Sequence, residues 1–352
     1  MRSFLEIEEY IRDLERISAI DLPWGKLAGK KVMISGATGM VGKMLIDALM
    51  YKNTKEALGV SVVALGRNKE KARGRFPDYM DADKFEFVGC DINEGIEYRG
   101  KVDFVLHLAS STHPKQYATE PVATVMANVI GLNNLLDFAV KNGAERFLFA
   151  SSVEVYGENR GDTEKFDENY LGYINCNTLR AGYPESKRAG EALCQAYREQ
   201  NWIEVVVPRF ARLFGPTMLL GDSKASSQFI MNAVYWKDII LKSEGTQEYS
   251  YLYVRDAVIG ALVCLLKGVD GEAYNLADEK YDTTLKDLAV ELAEMSGGKV
   301  IFELPDETER KGYSMAQKAL MEAGKVKKLG FKVEGKMTED LERTIEIIRQ
   351  LV

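Results

Sequence analysis

The chain has little of what several protein classes require. Four cysteines in 352 residues (Cys90, Cys176, Cys194 and Cys264) form no CxxC pair. That excludes a disulfide scaffold and argues for free thiols in a reducing, cytoplasmic setting. Only two histidines are present, His107 and His113, and neither adjoins a cysteine cluster, so no metal site is expected. Basic residues do not outnumber acidic ones: 46 Lys and Arg face 53 Asp and Glu, a formal net charge of −7. This balance speaks against a nucleic-acid-binding face. No window approaches the run of about 20 apolar residues that spans a bilayer. The charged N-terminus lacks the apolar core of a secretion signal. Internal repeats and low-complexity linkers are absent as well. What remains is an ordinary globular composition, 46% hydrophobic and 28% charged, on a chain long enough for about two domains.

Hydrophobic periodicity supplies the first positive signal. Residues 3–18 read as an amphipathic helix opened by a Ser3/Glu6 capping box, with Phe4, Ile7, Ile11 and Leu14 on one stripe. That stripe either packs on its own domain or meets a second subunit. Strand-like runs at 31–34, 60–65, 85–88, 102–108, 146–150 and 203–207 alternate with helical stretches, notably 40–50, 121–140 and 183–199. Such alternation implies a parallel sheet covered on both faces. After Pro208 the pattern degrades, with a strand at 251–254 and helices at 255–267, 284–296 and 338–350.

Gly36-Ala37-Thr38-Gly39-Met40-Val41-Gly42 follows the first strand directly. In such a loop Gly36 permits the tight turn, Gly39 lets backbone approach a pyrophosphate, and Gly42 lets helix and strand pack closely. The pyrophosphate would sit at the helix N-terminus. An NAD site usually ends its second strand with an acid that holds the adenosine ribose. Here that strand ends Val63-Ala64-Leu65-Gly66-Arg67. Arg67 stands where a 2′-phosphate could be met, or it stacks on the adenine. NAD is the expected cofactor, with NADP left open.

Tyr183-Pro184-Glu185-Ser186-Lys187 places a tyrosine and a lysine one helical turn apart. Tyrosine is a poor base near neutral pH because its unperturbed pKa is about 10. A lysine at i+4 stabilises its phenolate. Ser152, at the end of the fifth strand, is the candidate hydroxyl that orients a substrate alcohol. Together these motifs, in this order, resemble the extended short-chain dehydrogenase/reductases that modify nucleotide sugars. The resemblance implies a Rossmann-type doubly wound parallel sheet in an α/β protein, with a smaller, interwoven α+β domain for the substrate. Expected boundaries are 1–28 for a helical extension, 29–207 and 249–275 for dinucleotide binding, and 208–248 with 276–352 for the nucleotide sugar. It also implies that Asp91 and Ile92 meet the adenine, that Leu108, Ala109 and Ser110 lie beneath the cofactor, and that Asn128 is the structural asparagine nearby.

Within that group the chain is similar to the UDP-glucuronate decarboxylases, or UDP-xylose synthases. His107-Leu108-Ala109-Ser110, with Pro114, Tyr117 and Pro121 beyond, resembles their HLASxxSPxxY…P stretch. Glu154-Val155-Tyr156-Gly157 matches SEVYG, Arg180-Ala181-Gly182-Tyr183 resembles the RxxY that closes their YWGxxNPxGxRxxY segment, and Lys187-Arg188-Ala189-Gly190-Glu191 matches KRxxE. The resemblance implies catalytic roles for Ser152, Glu154, Tyr183 and Lys187. It implies substrate contacts for Tyr117, Arg180, Arg212, Lys224, Gln228 and Tyr249, and a homodimer paired through helices 121–141 and 183–200. Two departures stand out. Tyr249 replaces the arginine that opens RxFxYVxD, and Arg212 replaces the asparagine of RxFNxxGP. Arg180, Lys115 or His113 then become candidates for holding a uronate carboxylate. A 4,6-dehydratase and a 4-epimerase remain alternatives, as does a dinucleotide-binding regulator without catalysis.

Overall fold

The computed structural model describes residues 2–110, 114–303, 305, 307 and 316–352, with backbone alone at 114–116. A 3-10 turn, Phe4–Glu6, carries the Ser3/Glu6 capping box and leads into helix α1 (Glu8–Ala19). Strand β1 (Lys31–Ser35) runs through the glycine turn into α2 (Met40–Glu56). Then come β2 (Ser61–Gly66), α3 (Lys69–Arg75), β3 (Phe85–Gly89) and β4 (Phe104–His107). A helical run follows: α4 (Pro114–Thr119), α5 (Pro121–Met126), a π turn Ala127–Gly131, and α6 (Leu132–Asn142). Strands β5 (Arg146–Phe149) and β6 (Ser151–Ser152), helix α7 (Gly182–Asn201) and β7 (Glu204–Phe210) close the first half.

The second half is more broken. It holds β8 (Arg212–Phe214), α8 (Ala225–Val234), β9 (Ile239–Leu241), β10 (Glu248–Tyr253) and α9 (Val254–Lys267). After these come β11 (Ala273–Leu276), β12 (Asp282–Thr284), α10 (Leu285–Ser296), β13 (Val300–Phe302) and β14 (Lys318–Ala319). The C-terminal helix is Met337–Leu351.

The main sheet has the strand order β11-β7-β5-β4-β1-β2-β3, with β6 beside β7, and every pairing is parallel. Its central strands are buried along nearly their whole length, as both-face coverage demands. The order reverses at β1/β4, so the carboxyl ends of these strands open a crevice for a ligand. A smaller sheet joins β8, β10, β12 and β14, and β9 pairs with β13. Residues 249–253, expected in the dinucleotide domain, therefore lie in the smaller sheet, whereas β11 returns to the main one.

Helix α2 is buried almost all round, because α1 covers its outer face. Ile7, Tyr10, Leu14 and Ile17 of that N-terminal segment are fully buried, so the stripe packs on its own chain. Asp13 of α1 meets Arg255 at 3.2 Å. Arg255 also pairs with Asp256 at 2.7 Å and Asp340 at 3.2 Å. Arg343 reaches Asp13 at 3.4 Å, and Tyr253 donates its hydroxyl to Asp13 at 2.6 Å. This cluster fastens α1, α9 and the C-terminal helix together.

The helical run Pro121–Asn142, 22 residues, is long and apolar enough by length and composition to cross a membrane, contrary to the expectation that no window comes near. Its apolar residues are broken by Thr, Asn and Gly and, toward the end, by Asp137 and Lys141, so no continuous run shows in the sequence. In the fold its inner face, with Leu132, Leu135, Leu136 and Ala139, belongs to the core.

Candidate active site

The register of β1 places Ser35 between Leu65 and His107, so the glycine turn emerges at the middle of the crevice. Gly36 has φ +72, and a Cβ there would lie 2.6 Å from backbone atoms of Leu108 and Ala109. A Cβ at Gly42 would come within 2.4 Å of the Gly36 carbonyl oxygen. No side chain caps α2 at Gly39, so the N–H groups of its first turn are left for an anion. These features fit a dinucleotide pyrophosphate. Gly36, Gly39, Met40, Val41, Gly42, Leu108 and Ser110 line one end of a cavity of about 1000 Å³.

Thr38, Arg67, Ala109, Asp91, Ile92 and Asn128 are not part of its wall. Asn128 is buried and accepts a hydrogen bond from Ser110 Oγ at 2.9 Å while donating to Ser186 Oγ at 2.9 Å. It ties the Ser110 loop to α7. The Asp91 carboxylate accepts from the Asn93 amide at 3.0 Å, and the Ile92 carbonyl accepts from Asn134 at 2.8 Å. Both shape the turn after β3. Arg67 is exposed at the end of β2. Burial pushes the Lys71 ammonium down, and the nearby Arg75 and Arg67 push the same way, so this flank is positive.

Tyr183 and Lys187 stand in the first turns of α7 and are both buried. Lys187 donates to the Ala150 carbonyl at 2.8 Å, and its Nζ lies 5.9 Å from the Tyr183 ring centre. Burial pushes Lys187 down to about 7. Burial, with the Glu154 charge added, pushes the Tyr183 phenol up to about 12, and the Ser152 hydroxyl, Arg180 and Ser110 oppose this. Ser152 caps the 3-10 turn Val153–Tyr156 by accepting from the Glu154 amide at 3.3 Å. Gly157 ends that turn with φ +63, and a Cβ there would sit 2.2 Å from the Tyr173 carbonyl oxygen. Glycine is therefore required for the turn that presents Ser152 and Glu154.

Glu154 sits between two guanidinium groups. Arg180 Nη2 donates to its Oε2 at 2.7 Å, and Arg212 Nη2 lies 3.9 Å from its Oε1. Each arginine is stacked on a tyrosine: Arg180 on Tyr117 at 4.6 Å and Arg212 on Tyr249 at 3.7 Å. The Tyr117 ring centre is 5.0 Å from that of Tyr183. Ser152, Glu154, Tyr183, Lys187, Tyr117, Arg180, Arg212, Lys224, Gln228 and Tyr249 all line the cavity. Lys224 opens α8 and holds Asp222 at 3.2 Å. His113 and the side chain of Lys115 lie outside the described residues.

Sequence reasoning assigned no role to the network behind the turn. Arg209 makes a two-toothed pair with Glu191 (2.9 and 2.6 Å) and donates to the Tyr156 hydroxyl at 2.9 Å. Tyr156 in turn donates to Asn275 at 2.6 Å, and Ser151 donates to Glu191. This network braces the strand end that carries Ser152. A charged residue amid the apolar run of β7 was the available signal for Arg209.

Residues 32–277 match the NAD dependent epimerase/dehydratase family, and the chain belongs to it. Among its relatives is UDP-glucuronic acid decarboxylase 1 of Xenopus tropicalis, 30% identical over 98% of this chain and 79% of that protein. UDP-glucuronic acid decarboxylase 3 of Arabidopsis thaliana is 31% identical over 79% of this chain and 78% of that protein. Two solved structures share the fold. A dTDP-glucose 4,6-dehydratase from Streptomyces venezuelae with NAD and TYD bound has TM-score 0.78 at 21% identity, covering 91% of this chain and 97% of that one. A UDP-glucuronic acid 4-epimerase from Bacillus cereus, in complex with UDP-glucuronic acid and NAD, has TM-score 0.76 at 20% identity, covering 92% and 100%.

Proposed function

We propose that this chain is a nucleotide-sugar enzyme that oxidises the sugar at C4 and decarboxylates a uronic acid, with UDP-glucuronate as substrate. The observation that carries this reading is Glu154: a carboxylate on the turn that carries Ser152, held by Arg180, in one wall with Tyr183 and Lys187. A nicotinamide cofactor held over the Gly36–Gly42 turn would supply the hydride acceptor and donor for C4. Ser152 orients the C4 hydroxyl and Tyr183 takes its proton, with a protonated Lys187 favouring the phenolate. The resulting 4-keto uronate is a β-keto acid, so its C5–C6 bond breaks with release of CO2. Glu154 is the candidate for managing the proton that C5 then needs. The 30–31% identity to proteins named as UDP-glucuronic acid decarboxylases supports this over dehydration or epimerisation.

Mass spectrometry of the products from UDP-glucuronate tests it. Loss of one CO2 is expected, and turnover in Tyr183→Phe should drop at least a hundredfold. An unchanged mass with a new retention time would instead mark an epimerase.

The family cofactor is NAD. The missing acid at Gly66-Arg67 and the positive flank with Lys71 and Arg75 also admit the 2′-phosphate of NADP, and the mass of cofactor released by denaturation decides between them. The enzyme pairs as a homodimer in our reading. Val122, Met126 and Ile130 are 73%, 43% and 37% exposed at helical spacing, beside exposed Ala189, Ala192 and Ala196 on α7. Met126→Arg should turn the dimer into a monomer in light scattering.

A further inference from the structure

Two arginines of the cavity wall leave donors open: Arg180 has Nε and Nη1 buried without partners but spends Nη2 on Glu154, whereas Arg212 makes no hydrogen bond among the described residues. Among the described residues no acceptor lies within hydrogen-bond distance of its guanidinium, and its Nε is buried without a partner. Its closest carboxylate, Glu154, is 3.9 Å away, beyond hydrogen-bond reach, and is already engaged by Arg180 at 2.7 Å. The Arg212 side chain is 27% exposed, so the remaining donors meet cavity solvent that an anionic ligand group can displace, and the dry Nε adds a cost that only such a partner relieves.

The surroundings fix its aim. Strands β8 and β10 are parallel, with Arg212 opposite Tyr251, and the side chain reaches back along β10 to lie 3.7 Å over the Tyr249 ring. The Tyr249 hydroxyl is spent on the Ala316 carbonyl at 3.0 Å, so Tyr249 offers a platform rather than a polar contact. Two guanidinium groups face one carboxylate here. This end of the cavity therefore carries a surplus positive charge. It adjoins Glu154, on the turn that carries Ser152.

Resting on the decarboxylase reading, we propose that Arg212, laid on Tyr249, holds the carboxylate of the uronic acid and sets a preference for anionic over neutral hexose nucleotides. The chain would thus supply from β8 the cation that its relatives carry at the position of Tyr249. An oxyanion is what the guanidinium recognises, and the substrate offers two, the carboxylate and the diphosphate. The placement beside Glu154, on the turn that carries Ser152, favours the carboxylate.

Calorimetry on Tyr183→Phe protein with its co-purified cofactor separates the two. UDP-glucuronate should bind about a hundredfold more tightly than UDP-glucose, because the neutral sugar leaves Arg212 unmatched. Arg212→Met should erase that ratio while leaving the affinity for UDP unchanged. Arg212→Lys should keep part of it, and so guards against misfolding of the methionine variant. Tyr249→Leu should lower it by loosening the guanidinium. Equal weakening of UDP and UDP-glucuronate in Arg212→Met would overturn the proposal in favour of a diphosphate contact. Equal binding of the two sugars by the parent protein would overturn it too, with the nucleotide-sugar reading intact. If no nucleotide sugar binds, both fall.

Discussion

Arg255 and Arg212 each lie on a tyrosine of strand β10, Tyr253 at 4.9 Å and Tyr249 at 3.7 Å, and each faces carboxylates. Arg255 is fully enclosed and shares Asp13, Asp256 and Asp340. Arg212 has one distant carboxylate and no hydrogen bond among the described residues. The same kind of side chain, one from β8 and one from α9, thus serves two ends against the tyrosines of one strand. Where its donors are saturated from within the chain it joins elements, and where they are left open it waits for something that is not protein. Counting the partners of a buried charge separates architecture from recognition better than burial alone.

The comparison breaks first at Arg255. Arg255→Met leaves three carboxylates buried together, and unfolding in denaturant should show a loss of about 3–5 kcal/mol. Glu154→Gln comes next. It should cut turnover about a hundredfold or more with little change in melting temperature, because Arg180 keeps an amide acceptor. The third test is the stability of Arg212→Met, expected within about 1 kcal/mol of the parent, since no hydrogen bond is lost. A larger loss would place Arg212 with Arg255 as a joining group.

The smallest effect concerns pH. Burial raises the Asp256 carboxyl to about 6, with Arg255 opposing. A carboxyl raised in the folded state binds its proton there at pH values where the unfolded chain has released it. Its contribution is complete below the ordinary range near 4 and is lost as pH rises through about 6. Melting temperature should fall across that window, and Asp256→Asn should flatten this part of the profile.

Much of the molecule was legible because its signals are local. The glycine turn lies within Gly36–Gly42, and Tyr183 and Lys187 share one helical turn. The capping box at Ser3 and Glu6 likewise needs only four residues. The short strands β8, β9, β12, β13 and β14 were missed, because each spans two or three residues and exists only through partners far along the chain. The placement of Arg212 was hidden for the same reason. Its replacement of an asparagine and the loss of an arginine at Tyr249 look like separate departures until the β8–β10 pairing sets Arg212 opposite Tyr251 and its side chain reaches back over Tyr249.

The Asp13 cluster also has a bearing on synthesis. Asp13 leaves the ribosome early, yet its partners Arg255 and Arg343 follow it by 242 and 330 residues. Until α9 is made, the Asp13 carboxylate lacks Arg255, and until the C-terminal helix follows it lacks Arg343. Seating α1 over α2 thus draws on residues from distant stretches of the chain.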